Sequence, residues 1–199
     1  MRENNPDALV SSVQDRAMQP WRTISQERAY SCDGFDIINE TVELPDGNEA
    51  EFDYLTETES VVILPFTPDG DVVTIREWRH AVRRMNLGLP AGSLEAGEKP
   101  REAVGRELLE ETGYKPAEVA HLTTVEPSNG FSDAIFHYFV AWDCKPAGDQ
   151  RLDSDETIEP VLSSFEELSE SVRTGEFRDG RSAFAIAQYL LQYPDGPQD

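Results

Sequence analysis

The stretch that decides the fold runs from Gly92 to Tyr114 and reads GSLEAGEKPREAVGRELLEETGY. It begins as a glycine-containing loop and continues into a segment with Pro100 in its first turn and Gly113 at its end. Proline is tolerated where the first helical N–H groups have no partner, and glycine commonly ends a helix. The stretch therefore predicts a loop followed by a helix from Pro100 to Thr112.

Three carboxylates of this segment are expected on one side of the helix. Glu107 and Glu111 are four positions apart and Glu110 lies beside them, so a helix brings their oxygens together. Carboxylates that converge need a counter-charge, and Mg2+ and Mn2+ prefer oxygen ligands. The segment therefore predicts a metal site. The alternative is an acidic helix face that simply contacts solvent, and the glycines Gly92 and Gly113, together with Glu98 and Arg106, disfavour it. Arg106 is placed to pair with Glu98 and so to fix the loop against the helix.

The composition limits what else the chain can be. Its 199 residues are enough for one catalytic domain with a small appended subdomain. The chain carries 39 acidic and 17 basic side chains, a formal net charge of -22 at pH 7. Such a surface repels polyanions, so neither nucleic acid nor an anionic membrane is expected as a partner. A small anionic substrate would need a local basic pocket or a bound metal.

Location and habitat are predicted from the same composition. The first residues lack the apolar core of a signal peptide, and the longest apolar run, Val61 to Phe66, is too short to span a bilayer. We therefore expect a cytoplasmic protein. The two cysteines, Cys32 and Cys144, form no metal or redox motif. The dispersed acidity is consistent with adaptation to high salt or with an ordinary acidic enzyme, and both interpretations stay open.

Three regions follow from the pattern along the chain. Residues 1–18 are polar and irregular, as expected of a flexible tail. Residues 19–58 show apolar alternation broken by turn residues, which predicts a small antiparallel β-subdomain. Residues 59–195 predict a catalytic domain of α+β class, with helices flanking a mixed sheet.

Individual elements of these regions are also predicted. Val61–Phe66 and Val72–Trp78 are expected to form a central hairpin around the turn Thr67-Pro-Asp-Gly. The other expected strands are Trp21–Tyr30, Phe35–Val42, Glu49–Thr56, Val119–Val125 and Ala134–Trp142, and the other expected helices are Phe165–Thr174 and Ser182–Tyr193.

The stretch from Gly92 resembles the signature box of the Nudix hydrolases, Gly-x5-Glu-x7-Arg-Glu-U-x-Glu-Glu-x-Gly-U, where U is a bulky aliphatic residue. Every polar position of the box is filled, and Tyr114 departs mildly from the last U. The matching positions are Gly92, Glu98, Arg106, Glu107, Leu108, Glu110, Glu111 and Gly113. The resemblance implies a Nudix fold, a mixed β-sheet sandwiched between α-helices.

The resemblance also implies a metal centre and a reaction. Mg2+ (or Mn2+) would be held by the three helix glutamates together with the backbone carbonyl of Ala91, and Gly92 is expected to border the substrate. The preceding Leu89-Pro-Ala-Gly looks like the start of the box in the ADP-ribose pyrophosphatase branch. The implied reaction is hydrolysis of a nucleoside diphosphate linked to X, with ADP-ribose giving AMP and ribose 5-phosphate.

Two segments outside the box are similar to the same branch. Glu77-Trp-Arg resembles the Gln-aromatic-Arg segment whose arginine meets the diphosphate, which makes Arg79 the expected phosphate contact; pairing with surface acids is the alternative for the arginines nearby. Pro127 lies in Glu-Pro-Ser-Asn-Gly-Phe-Ser-Asp, similar to a substrate loop of the branch, although Asn129 and Ala134 depart from its pattern. As turn residues alone, the loop would be a plain connection.

The general base is predicted on the acidic stretch Asp153-Ser-Asp-Glu-Thr-Ile-Glu. The branch carries a glutamate on a mobile loop at this place, so Glu156 is expected to act on the attacking water, with Asp155 as second choice. A base on a mobile loop reaches the water only when the loop closes. A solvated acidic loop is the alternative.

Partner and substrate alternatives remain. Family members often dimerise through the N-terminal subdomain, which implies a homodimer; Trp21, Tyr30, Phe35 and Phe52 are candidates for that interface, for stacking, or for the core. The substrate could also be a nucleotide sugar, a dinucleotide cofactor or a diadenosine polyphosphate. A nucleotide-sensing domain without hydrolysis is a further alternative, which the filled carboxylate positions disfavour.

Overall fold

The computed structural model describes residues 20–154 and 156–194. The chain divides into two compact units, with the boundary between Glu57 and Thr58. The predicted tail at residues 1–18 lies outside the described residues. No described helix is both long enough and apolar enough to cross a membrane.

The first unit contains an antiparallel sheet of three strands. They are β1 (Arg22–Ser31), β2 (Asp36–Glu43) and β3 (Glu49–Thr56), with β2 in the middle. Ile38 and Val42 on β2 are buried, whereas every residue of β1 is exposed. The three strands are separated by the turn residues Asp33-Gly34 and Pro45-Asp46-Gly47 of the sequence.

The second unit contains the remaining described elements. The strands are β4 (Ser60–Pro65), β5 (Val72–Arg79), β6 (Arg84–Gly88), β7 (Ala91–Ser93), β8 (Tyr114–Lys115), β9 (Glu118–Val125), β10 (Phe136–Trp142), β11 (Lys145–Pro146) and β12 (Ile158–Ser163). The helices are α1 (Pro100–Thr112), α2 (Phe165–Thr174) and α3 (Gly180–Gln192).

Two larger sheets organise this unit. The first has the order β7-β4-β10-β9, in which β4 and β10 are parallel and the other pairs are antiparallel. The second is antiparallel with the order β12-β5-β6. The first sheet is therefore mixed, and β7, which leads into the loop before α1, forms one of its edges.

Helices pack on both faces of the mixed sheet because β4 alternates its side chains between them. Val61 and Ile63 belong to one cluster of buried residues, which also contains Leu108 of α1. Val62 and Leu64 contribute to the other cluster, which includes Ile186 of α3. The α+β class and the sheet between helices are confirmed.

The predicted central hairpin is wrong. After one isolated bridge between Phe66 and Val72, β4 and β5 separate into different sheets. The backbone N–H of Phe66 donates instead to Ala141, and β4 lies between β7 and β10. A continuous apolar strand buried on both faces is more stable inside a sheet than at a hairpin edge, because both its edges then find hydrogen-bond partners.

Candidate functional site

Helix α1 positions the carboxylates of the box. It begins at Pro100 and ends at Gly113, whose positive φ of 77° is the left-handed conformation that glycine adopts readily. Val104 and Leu108 are fully buried against the mixed sheet. Residues three and four positions along a helix share a face, so Glu107 and Glu111 are drawn into the interior beside these apolar side chains.

Gly92 and Glu107 lie in direct contact. A Cβ placed on Gly92 would come within 2.2 Å of the Glu107 carboxyl carbon. Since real Cβ atoms do not approach so closely, only glycine leaves room for this carboxylate. Burial raises the pKa of Glu107, and Glu110 and Glu156 raise it further by repulsion, whereas Arg106 opposes the shift. The glycine that opens the box therefore makes space for a buried charge.

Glu111 is the most deeply buried carboxylate of the box, with 5% of its surface exposed. Its Oε2 accepts a hydrogen bond of 2.9 Å from the backbone N–H of Ala91. Burial raises the pKa of Glu111 to about 8, against the effect of that hydrogen bond, and repulsion from Glu107, Glu156 and Glu77 adds to the increase. Burial and, to a lesser extent, the neighbouring carboxylates thus disfavour the charged form of Glu111 unless a cation is close by.

Arg106 is the arginine of the box. Its Nη2 and Nε donate to both carboxylate oxygens of Glu98, at 2.6 and 2.9 Å, and Nη2 also donates to the carbonyl of Ser93 at 2.9 Å. Its Nη1 lies 2.7 Å from Glu107 and 3.2 Å from Glu110. The hydrogen bonds from Arg106 hold the pKa of Glu98 below its usual range. One guanidinium thus joins the loop to the helix and touches two of the predicted metal ligands.

The described residues contain no group of three or more His, Cys, Asp or Glu side chains arranged to hold a metal ion. The reason lies in the contacts above: Glu107 and Glu110 bind Arg106, and Glu111 binds the Ala91 N–H. The donor set itself suits Mg2+ or Mn2+, because it offers carboxylate oxygens, the ligands that these ions prefer. Any metal that Glu107 and Glu110 bind would compete with Arg106 for their oxygens.

The C-terminal end of α1 is fastened to the segment that precedes the predicted base. A Cβ on Gly113 would lie 2.5 Å from the carbonyl oxygen of Gly148, so only glycine permits this approach. The N–H of Arg151 donates to the Glu110 carbonyl at 2.9 Å. Gln150 Nε2 donates to the Glu111 carbonyl at 2.6 Å and to the carbonyl of Ile158 on β12 at 3.2 Å. Carbonyls that a helix end leaves without partners are satisfied in this way.

Glu156 lies near the box carboxylates. It contributes repulsion to Glu107, Glu111 and Glu77, which places it within electrostatic reach of all three. Its own carboxylate accepts a hydrogen bond of 3.0 Å from the backbone N–H of Asp153. The second choice of base, Asp155, lies outside the described residues.

Arg79 lies at the end of β5 and binds Glu77 at 2.9 Å. Burial raises the pKa of Glu77, and Arg79 and Arg181 oppose the shift. Arg79 and Ala91 line the same small cleft, so the predicted phosphate contact borders the box. Arg76 instead pairs with Glu159, as the alternative for the neighbouring arginines supposed.

Pro127 lies in a second cleft, which shares Asp179 and Arg181 with the first. These two residues at the start of α3 were not predicted, and neither was Gln150. Asp179 could have been found as a helix N-cap, since its carboxylate accepts hydrogen bonds from the N–H and hydroxyl of Ser182. Nothing in the sequence marks Arg181 or Gln150, because their positions depend on contacts distant in the chain.

Comparison with known proteins places this geometry in a family. The model of the NUDIX domain matches residues 56–183. An ADP-ribose pyrophosphatase of Bacillus subtilis (strain 168) is 34% identical over 170 residues, which cover 85% of this chain and 91% of the relative. A methanol dehydrogenase activator of Bacillus methanolicus is 29% identical over 172 residues, which cover 86% and 93%.

A solved structure supports the same fold. The crystal structure of an ADP compounds hydrolase superposes with a TM-score of 0.80 and covers 91% of this chain and 98% of its own, at 21% identity. At that identity the likeness establishes the architecture.

Proposed function

The chain belongs to the Nudix family, and from that premise we propose that it hydrolyses ADP-ribose to AMP and ribose 5-phosphate. Water would add across the diphosphate, and the phosphate that leaves would keep the bridging oxygen. The similarity to the Bacillus subtilis ADP-ribose pyrophosphatase extends over most of both chains and favours this substrate.

The observation that carries the proposal is that two carboxylates, Glu107 and Glu111, are buried next to the residues that begin the box. Glu107 fills the space that Gly92 leaves, and Glu111 binds the N–H of Ala91. Burying two carboxylates beside each other is costly unless cations accompany them, and Arg106 divides its hydrogen bonds among Glu98, Glu107 and Glu110, with none to Glu111 among the described residues. The site is therefore built for a cation.

We assign that cation as Mg2+ (or Mn2+), held by Glu107, Glu110, Glu111 and the Ala91 carbonyl. When bound, the metal supplies charge neutralisation of the diphosphate and activation of water. Because Arg106 also binds Glu107 and Glu110, it would help to position these two ligands.

The remaining residues bind and orient the substrate. Arg79 would exchange Glu77 for the diphosphate, since a guanidinium binds both kinds of anion. Glu156 would orient the attacking water and accept its proton, because it lies within electrostatic reach of Glu107 and Glu111. Gly92 and Pro127 would line the path of the substrate.

Turnover of a substrate panel tests the proposal. ADP-ribose, nucleotide sugars, a dinucleotide cofactor and a diadenosine polyphosphate are each supplied with Mg2+ in oxygen-18 water, and both products are analysed by mass. We expect ADP-ribose to give the highest kcat/KM and the label to enter a single product, which identifies the phosphorus attacked. Equal turnover of all substrates would refute the specificity, and no turnover of any would refute the enzyme function.

We also propose that the protein is a homodimer formed through the N-terminal sheet. Trp21 and Phe52 are 49% and 41% exposed and pack edge to face, with ring centroids 5.2 Å apart. Tyr30 and Phe35 add further exposed aromatic surface to the same unit. Light scattering with size exclusion should give twice the chain mass for the native protein and a lower mass for Trp21→Ser combined with Phe52→Ser; a native monomer would contradict this.

A further inference from the structure

Helix α3 contacts the segment that immediately precedes the box. Leu89 and Pro90 join β6 to β7, and Ala91 is the first residue of β7. Leu89 is only 3% exposed, and its backbone N–H donates to the side-chain oxygen of Ser182 at 2.8 Å. Ser182 lies in the first turn of α3, 93 residues further along the chain. The start of α3 therefore supplies the acceptor for a buried N–H next to the box.

Asp179 sets the direction of the Ser182 hydroxyl. A serine hydroxyl has one hydrogen and two lone pairs. The Ser182 O–H donates to Asp179 Oδ1 at 2.6 Å, which leaves a lone pair for the N–H of Leu89. The other carboxylate oxygen of Asp179 accepts from the side-chain amide of Asn86 at 3.1 Å. Although burial would raise the pKa of Asp179, its hydrogen bonds, those from Ser182 first, lower it. The carboxylate therefore stays charged and keeps the hydroxyl in one direction.

The close approach of α3 to this segment depends on Gly88, the last residue of β6. A Cβ on Gly88 would lie 3.3 Å from Ser182 Oγ and 3.7 Å from the carboxyl carbon of Asp179. The first of these distances is tighter than most Cβ contacts in proteins, so a side chain at this position would press on the start of α3. The glycine thus leaves room for the hydroxyl beside the chain that leads to the box.

The residues after Leu89 are held by α1 and by the mixed sheet. The carbonyl of Pro90 accepts a hydrogen bond of 2.9 Å from the N–H of Ile63 on β4, and the N–H of Ala91 donates to Glu111 at 2.9 Å. Because proline has no N–H, the Leu89 N–H is the donor that fixes the chain immediately before Ala91. The Ala91 carbonyl, proposed above as a metal ligand, is therefore held by three elements: α1, α3 and the mixed sheet.

We propose that Ser182 is a positioning residue for the metal centre: its hydroxyl, oriented by Asp179, holds Leu89 and thereby sets the position of the Ala91 carbonyl. The proposal rests on the proposed function, because it takes that carbonyl as a ligand of Mg2+ (or Mn2+). Ser182 acts through Leu89 and does not itself bind the metal. Removing a group that orients a metal ligand commonly lowers metal affinity or activity by about 10- to 100-fold.

Mn2+ binding and amide exchange of the full chain test the proposal without turnover. Ser182→Ala should raise the Kd of the tight Mn2+ sites about tenfold, the lower end of that range, because α1 and the mixed sheet still hold the segment. It should also abolish the protection of the Leu89 amide against hydrogen exchange, measured by NMR spectroscopy without metal. Ser169→Ala is the matched control, because this buried serine of α2 donates to the Phe165 carbonyl of its own helix at 2.6 Å. It should leave both readouts native.

Steady-state kinetics distinguish positioning of the metal centre from a contact with the substrate. With ADP-ribose, Ser182→Ala should have a kcat about tenfold lower and a KM within about twofold of native. Ser182→Cys fills the same space with a weak acceptor and should raise the Mn2+ Kd by a smaller factor, so it decides the matter if Ser182→Ala does not fold. Thermal unfolding above the assay temperature identifies the variants that are folded.

Several outcomes would overturn the role of Ser182. They are a native Mn2+ Kd in both folded Ser182 variants, an equal rise in Ser169→Ala, an effect on KM alone, or a native protein without tight Mn2+ sites. A native protein that binds Mn2+ tightly but does not turn over ADP-ribose would refute the proposed function alone, because the Mn2+ Kd of Ser182→Ala still tests the positioning of Ala91.

Discussion

Glu98 and Glu111, which lie toward the two ends of the box, have pKa values shifted in opposite directions. Glu98, in the loop, receives two hydrogen bonds from Arg106, and its pKa lies below the usual range. Glu111, at the inner side of α1, receives one backbone N–H, and its pKa is raised to about 8. Both residues belong to the same motif. The difference teaches that the arginine of the box compensates the charge of Glu98 far more than that of Glu111, although it also contacts Glu107 and Glu110.

The largest effect is expected when the inner end loses a charge. Glu111→Gln keeps an oxygen that can accept from the Ala91 N–H, so the fold should remain, but it removes an anionic metal ligand. Metal assistance is worth several kcal/mol, so turnover of ADP-ribose should fall roughly a thousandfold. Steady-state kinetics with saturating Mg2+ measures this. Glu118→Gln, an exposed neutralisation on β9, is the control. Activity within twofold of native in Glu111→Gln would remove the metal assignment.

A single methyl group on Gly92 tests whether Glu107 needs the space that the glycine leaves. Gly92→Ala should push the Glu107 carboxylate aside, and because misplacement by about 1 Å can cost about a hundredfold, kcat should fall by roughly that factor. Stability should change little, since only the end of a flexible side chain must move. Gly105→Ala is the matched control: its Cβ would meet nothing within 4 Å, so it should stabilise α1 by about 1 kcal/mol and leave kcat alone. A native kcat in Gly92→Ala would show that Glu107 need not stay where it is.

Substitution of Arg106 tests how much the loop end of the box, with Glu98, contributes to the free energy of unfolding. Arg106→Gln removes a mostly buried guanidinium from Glu98 and from the Ser93 carbonyl, which should lower the free energy of unfolding by about 2 kcal/mol. Arg173→Gln removes an exposed pair with Glu170 and should cost less than about 0.5 kcal/mol. Urea unfolding compares the two. Equal losses would mean that the outer end contributes no more than a surface pair.

The smallest effect concerns the connection from α1 to the predicted base. Gln150→Met loses the hydrogen bonds to the Glu111 and Ile158 carbonyls, and we expect about 1 kcal/mol of lost stability and roughly a tenfold lower kcat. Gln192→Met loses a similar hydrogen bond, from α3 to the Leu122 carbonyl on β9, and should lose stability without losing kcat. If both variants keep native kcat at matched loss of stability, Gln150 does not position Glu156.

The sequence predicted those elements whose bounds are set by residues within the element itself. Pro100 and Gly113 bound α1 at the predicted residues, because a proline suits the first turn and a glycine suits the left-handed end. The strand β12 was missed because Pro160 interrupts its pattern, which an edge strand tolerates. The hairpin of β4 with β5 was wrong because the pairing of β4 with β10 depends on residues about 75 positions away.

The residues of the candidate site also fall into those that the sequence predicted and those that it did not. The proximity of Glu107, Glu111 and Gly92 could be predicted because it depends on the spacing within one helix and the loop before it, whereas their roles stay predictions. Arg181 and Gln150 could not, since a lone arginine or glutamine acquires a role only when distant elements bring it to the box. The prediction of Glu156 as the base stays a prediction, although its charge reaches Glu107 and Glu111.

The most direct test of the central claim, that the inner carboxylates hold a divalent metal, is Mn2+ binding measured by electron paramagnetic resonance. A chain of net charge -22 should show weak surface binding in every variant. The native protein should show in addition a tight class of Mn2+ sites, displaced by Mg2+, which Glu111→Gln lacks and Glu118→Gln keeps. Identical binding curves for the native protein and Glu111→Gln would contradict the account.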